Sequence, residues 1–144
     1  MVSFIMVLVL NWNLLACQKQ AQNTDDKAIN MLRDFYTLFL SETCQERPDW
    51  EKVDSILKKY TTANLRKQWK ELSDKMDYDL LIDGQFCLKE WIKTMKISKD
   101  ETRDLTYKIN FYYTLENKQM KKEVKLEVIE KDGVVLINKI ILDR

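Results

Sequence analysis

From Asp25 onward, apolar residues return at steps of three and four: Ala28, Met31, Leu32, Phe35, Leu38 and Phe39. That spacing lays them along one stripe of an α-helix. Asn23 or Thr24 can cap its start, and Asp25 and Asp26 suit the positive end of the helix dipole. The stripe fades near Leu40, and Pro48 stands in the break that follows. Asp49 then caps a second predicted helix carrying Trp50, Val53, Ile56, Leu57 and Tyr60. Thr61 and Thr62 interrupt this pattern. Leu65, Trp69 and Leu72 beyond them predict a third short helix or a kinked continuation of the second.

After the Asp-Tyr-Asp-Leu-Leu-Ile-Asp-Gly stretch at 77–84 the period changes to two. Trp91, Met95 and Ile97 fit one face of a first strand, although residues 86–91 can begin as helix. The clearest strand follows, with Leu105, Tyr107, Ile109, Phe111, Tyr113 and Leu115 alternating with mainly polar neighbours. Asn117-Lys118 reads as a turn into 121–130, where Val124, Leu126 and Val128 share a face. Asp132-Gly133 is a strong two-residue hairpin signal. Residues 134–142 are apolar on both faces, which predicts a central or covered strand. Helices followed by hairpin-linked strands predict an α+β fold, with N-terminal helices packed on a curved, mainly antiparallel sheet of three to four strands.

The first ten residues form an uncharged apolar run, followed by Asn11-Trp12-Asn13 and then Leu14-Leu15-Ala16-Cys17. The run is far shorter than the ~20 residues needed to span a bilayer, but it fits the core of a secretion signal. Leu14 to Cys17 resembles a lipobox, in which a small residue precedes the cleaved bond and the thiol takes diacylglycerol. This divides the chain into a signal at 1–16, a polar tether at 17–24 and one domain at 25–144. Each buried CH₂ of an acyl chain contributes about 0.8 kcal/mol and one chain holds a protein only marginally, so a diacylated Cys17 would be a firm anchor. No Lys or Arg precedes the apolar run, which departs from the usual signal. The competing reading is a buried N-terminal strand with an incidental Cys.

Composition narrows the function classes. A chain of 144 residues suits one domain, and 45% hydrophobic with 33% charged residues is a globular balance. The net charge is +1 with both signs interspersed, so the basic face expected of a nucleic-acid binder is missing. Histidine is absent, which removes the commonest general base and metal ligand. No cofactor signature is present.

The strings Arg33-Asp34-Phe35-Tyr36, Leu57-Lys58-Lys59-Tyr60-Thr61-Thr62, Asp77-Tyr78-Asp79 with Gln85, and Trp91-Ile92-Lys93-Thr94 resemble an uncharacterised family of exported bacterial proteins. Its members are commonly lipoproteins of gut-type Gram-negative bacteria with a nuclear-transport-factor-2-like, or cystatin-like, cone. The resemblance runs over roughly residues 28–142 and departs at Phe86, where the family tends to have an acidic residue. It implies the fold and export; the family brings no activity with it.

Asp77, Asp79 and Asp83 first suggest a cation loop. Counted from Asp77, however, the EF-hand ligand positions fall on Leu81 and Leu88, and its glycine position on Ile82. No metal is therefore expected, and turn formation is the blander role of these aspartates. A cone of this kind can also hold a pocket with a Tyr donor and an Asp base. Tyr78, Tyr107, Tyr112 and Tyr113 are the candidate donors, with Asp77, Asp79 or Asp83 as base. Of these, Asp77, Tyr78, Asp79, Asp83 and Tyr112 are the candidate ligand-binding set, against the plainer reading that aromatics at strand spacing fill the core. Trp50, Trp69 and Trp91 are expected to pack against the sheet. Cys44 and Cys87 can pair outside the cytoplasm or remain free; spacing alone does not decide.

These readings favour a non-catalytic, lipid-anchored protein of the bacterial envelope, on the periplasmic face of the outer membrane. Its domain would bind a protein or peptide, in an inhibitor or immunity role for example. The alternative is a small-molecule or enzymatic pocket inside the cone. A pocket protein should show an aromatic-lined cavity with inward polar groups, and a partner-binder a filled core with an exposed patch.

Overall fold

The computed structural model describes the backbone of residues 3–142 and the side chains of residues 23–142. Helix α1 spans Ser3–Thr43 without a break. The helix expected from Asp25 therefore extends upstream through the 17–24 tether, where no Pro or Gly stops it. The side chains of the 1–16 segment and of Cys17 lie outside the described residues. The buried stripe of α1 consists of Ala28, Leu32, Phe35, Tyr36, Phe39 and Leu40, whereas Leu38 is largely exposed. At 100° per residue Leu38 falls outside the arc centred on Leu32 and Phe39, and Tyr36 falls inside it.

Helix α2 covers Trp50–Tyr60 and opens on the Asp49 carboxylate, which accepts the Lys52 amide at 3.2 Å. Val53, Leu57 and Tyr60 face the core. Helix α3 spans Ala63–Met76 as a separate element: Thr61 and Thr62 are extended, and the Thr62 hydroxyl caps α3 by accepting the Leu65 amide. It ends at Asp77, whose φ of 48° is left-handed. The expected first strand is shorter than its apolar spacing implied. Trp91–Thr94 forms the helical turn α4, and only Lys96–Lys99 forms β1. Trp91 and Met95, four apart, share a face in either geometry, and the Met95 amide bonds to the Trp91 carbonyl at 2.9 Å.

Strands β2 (Thr106–Leu115), β3 (Lys118–Lys131) and β4 (Val134–Ile141) complete a four-stranded antiparallel sheet in the order β1-β2-β3-β4. Tyr107 pairs with Leu126 and Ile109 with Val124, so both rows of apolar side chains face one way. The β2–β3 turn is Glu116-Asn117, one residue earlier than expected; both have positive φ, as do Asp132 and Gly133 in the β3–β4 turn. That backbone matches the twist of paired strands. A bulge at Glu127/Val128 bends β3, and the curved sheet stays open. The doubly apolar β4 is an edge strand rather than a central one. Its edge is partly covered, because the Ile137 carbonyl takes the Thr62 amide at 2.9 Å.

The helices lie on the face of the sheet that carries Tyr107, Ile109 and Phe111. The space between the layers is filled by rings. Trp91 stacks on Phe111 with centroids 5.2 Å apart, Tyr36 meets Phe111 edge-on at 5.3 Å, and Phe35 stacks on Phe39 at 5.2 Å. All five side chains are fully buried.

Candidate functional site

The 77–84 segment is built as a plug. Leu80, Leu81 and Ile82 point into the core, while Asp79 and Gly84 exchange backbone hydrogen bonds at 3.0 and 3.1 Å that close the loop. The Asp79 carboxylate accepts the Trp69 indole N–H at 2.9 Å and the Leu81 amide at 2.8 Å. The Tyr36 hydroxyl, buried on α1, donates to the Leu81 carbonyl at 2.8 Å. Burial raises the Asp79 carboxyl above its ordinary value, opposed by those two donors. Burial also pushes the Tyr36 phenol well above its ordinary value, and the nearby Asp79 charge adds to this.

The Tyr78 hydroxyl donates to Asp83. Burial first, then the Asp83 carboxylate, pushes its phenol up to about 12. Lys122 on β3 donates to the Asp83 carbonyl and crosses Gly84 where a side chain would stand, so glycine leaves room for its ammonium. The same ammonium lies 5.0 Å from the Phe86 ring centre. Cys44, just beyond α1, and Cys87 form a disulfide with Cα atoms 5.2 Å apart, within the ordinary span of such a bond.

Of the expected set, the structure gathers Asp77, Tyr78, Asp79 and Asp83 around this loop, but Tyr112 belongs elsewhere. It points to the opposite face of the sheet from Phe111, with the Lys96 ammonium 5.3 Å from its ring. The Tyr107 hydroxyl is held by Asp25 at 2.7 Å rather than by any of the three loop aspartates. Lys99 joins the same carboxylate at 2.9 Å. Hydrogen bonds from Lys99 and Tyr107 outweigh partial burial and keep the Asp25 carboxyl below its usual value. Among the described residues, no group of three or more His, Cys, Asp or Glu side chains could hold a metal.

The loop forms one wall of a surface cleft of about 670 Å³, whose other walls are the C-terminal end of α1, the start of α2 and the end of α3. Trp50 is 63% exposed and Phe86 52% exposed. Trp50 thus corrects the expectation that it packs on the sheet; Trp69 is half-buried against Phe39, and Trp91 is fully buried. Asp77, Tyr78 and Asp79 line the cleft. It also contains Glu46, Asp74, Trp50 and Phe86, none of them in the expected set. No sequence signal joins these residues, because they come from four separate segments. A second hollow of about 370 Å³ lies beyond Tyr78 and Asp83, against Ile140 and Leu142.

This arrangement suits binding better than proton transfer. Asp79 is committed to two donors, Tyr78 remains protonated at neutral pH, and both cysteines of the domain are oxidised.

No family model matches the chain, and no curated protein does. The fold is similar to that in a crystal structure of a protein of unknown function from Bacteroides thetaiotaomicron, with a TM-score of 0.81 and 22% sequence identity. The match covers 90% of this chain and 99% of that one. At that identity the likeness shows a shared fold.

Proposed function

We propose that the protein is an exported, lipid-anchored binding module of the bacterial envelope that engages a protein or peptide partner without catalysis. The observation that carries the reading is the ring-filled interior between helices and sheet, with the concave, aromatic-bearing surface on the outside. The nuclear-transport-factor-2-like cone proposed from the sequence agrees with a curved sheet covered by helices. An enzymatic pocket within that cone is less supported, since Phe111, Trp91 and Tyr36 fill the space and Tyr107 is tied to Asp25.

The anchoring part of the reading rests on Leu14-Leu15-Ala16-Cys17. The disulfide supports it, because such bonds persist outside reducing compartments. Helix α1 rises about 1.5 Å per residue, so the stretch from Asp25 to Thr43 carries the cleft roughly 27 Å beyond Asp25. A cleft at that end would face the compartment instead of the membrane.

Two measurements test the proposal. Cys17→Ser should abolish labelled-fatty-acid uptake and release the protein from membranes; unchanged partitioning would remove the anchor. A photo-crosslinking residue at Trp50 should capture a partner in intact cells, whereas the same residue at Lys108 on the outer sheet face should not. Capture from Lys108 alone would sink the cleft as the binding surface.

A further inference from the structure

We infer that the cleft receives a basic side chain, lysine or arginine, from a partner polypeptide; this rests on the binding-module reading and names the chemistry of its site. Four carboxylates line the cleft, from Glu46, Asp74, Asp77 and Asp79, and no Lys or Arg lines it. Asp79 is occupied by Trp69 and Leu81. Glu46, Asp74 and Asp77 are exposed, and none of the three enters an ion pair among the described residues. Two neighbouring cations are already engaged. Lys122 lies on Phe86 and bonds to the Asp83 carbonyl, and Lys52 is tied to Asp49 at 3.5 Å.

Charge alone makes no site, and two further observations point to a ligand. The carboxylates surround a formed concavity of about 670 Å³, large enough for a long side chain and its neighbours. Trp50 and Phe86, two of the most exposed large apolar side chains of the domain, both line it, so its apolar surface is kept open at a cost in burial.

An alkyl stem that packs on aromatic rings and ends in a positive charge matches this combination. Lysine and arginine have that form, and both are attracted to aromatic faces. Phe86 already holds the Lys122 ammonium 5.0 Å from its ring centre, so the exposed Trp50 ring is the aromatic face left for the partner's cation. An acidic or uncharged side chain would bring no counter-charge to the Glu46, Asp74 and Asp77 carboxylates that line the cleft.

The test uses the full chain in detergent micelles with five-residue glycine-serine peptides carrying a central Lys, Arg, norleucine or Glu. The indole N–H signals of Trp50 and Trp69 report on the cleft, and that of the buried Trp91 is an internal control. The Lys and Arg peptides should shift the Trp50 and Trp69 signals, progressively less as salt rises, and leave Trp91 unmoved. Joint substitution Asp74→Asn with Asp77→Asn should weaken binding by about tenfold, and Trp50→Ala by about threefold, as expected for exposed charge and cation–ring contacts. Both positions are at the surface, and unchanged melting curves would confirm that folding is intact. Equal shifts from the norleucine or Glu peptides, or no shift from Lys and Arg at about 10 mM, overturn the inference (a dissociation constant near 1 mM would give clear shifts there). If Trp50 still crosslinks a partner while the basic peptides fail, only this inference falls. Crosslinks confined to Lys108 would bring down both readings.

Discussion

The Cys44–Cys87 bond offers the sharpest quantitative test of the structure. It closes a loop with a sequence separation of 43, tying the end of α1 to the segment that leads into α4. In the chain-entropy treatment, a closed loop of about that length removes roughly 13 cal/mol/K from the unfolded ensemble, or about 4 kcal/mol at 25 °C. The folded state should survive the loss. The Tyr36–Leu81 and Trp69–Asp79 hydrogen bonds hold the same segment independently. At roughly 4 °C per kcal/mol for a domain of this size, Cys44→Ser with Cys87→Ser should lower Tm by roughly 15 °C. Circular dichroism melts of oxidised, dithiothreitol-treated and doubly substituted protein would measure this, with alkylation mass spectrometry confirming the thiol state. Native spectra should coincide at 20 °C, and the reduced and substituted proteins should melt together. A fall of less than about 4 °C, equivalent to 1 kcal/mol, would refute the reasoning. Labelling of both cysteines in unreduced protein from its native compartment would refute the bond itself.

Three further outcomes follow from individual contacts. Tyr36→Phe leaves the Leu81 carbonyl unpaired in the core and should cost about 1–3 kcal/mol in urea melts, whereas a near-neutral result would mean that the bond does not hold the loop. Trp91→Ala should cost about 3–5 kcal/mol because it empties the site stacked on Phe111, while Trp50→Ala should stay within about 0.5 kcal/mol; similar losses at both would contradict their opposite burial. Hydrogen bonds from the Thr102 side chain and amide, aided by Lys108, hold the Asp100 carboxyl down at about 2, against 3.8 ordinarily. The stability it contributes is thus present above about pH 4 and is lost as pH falls toward 2. Asp100→Asn should flatten this acid limb, and an unchanged slope would show that another group titrates there.

The hydrophobic spacing was enough to predict two helices, with a third or a kinked continuation of the second, followed by hairpin-linked strands, because burying one face imposes a period of 3.6 or 2 on the chain. Asp132-Gly133 announced its turn, since few residues adopt positive φ readily. Asp49 marked its helix start, because its side chain satisfies an amide nearby in sequence. These are local constraints, and local sequence carries them. The short acid-rich stretch at 77–84 was visible too, although its residues looked like ligands before they proved to be partly a plug. Trp91 and Met95 were ambiguous for a plain reason: residues four apart share a face in helix and strand alike.

Tertiary packing decided the rest. It buried Tyr36 by offering the Leu81 carbonyl to its hydroxyl, and it left Trp50 in solvent although its spacing matched the core. It sent Tyr107 to Asp25 and Tyr112 to the outer face, dispersing donors that looked interchangeable along the chain. Only the folded molecule brought Cys44 to Cys87, and Glu46, Trp50, Asp74 and Phe86 around one cleft. Their proximity depends on how four distant segments pack, and spacing along a chain contains no record of that distance.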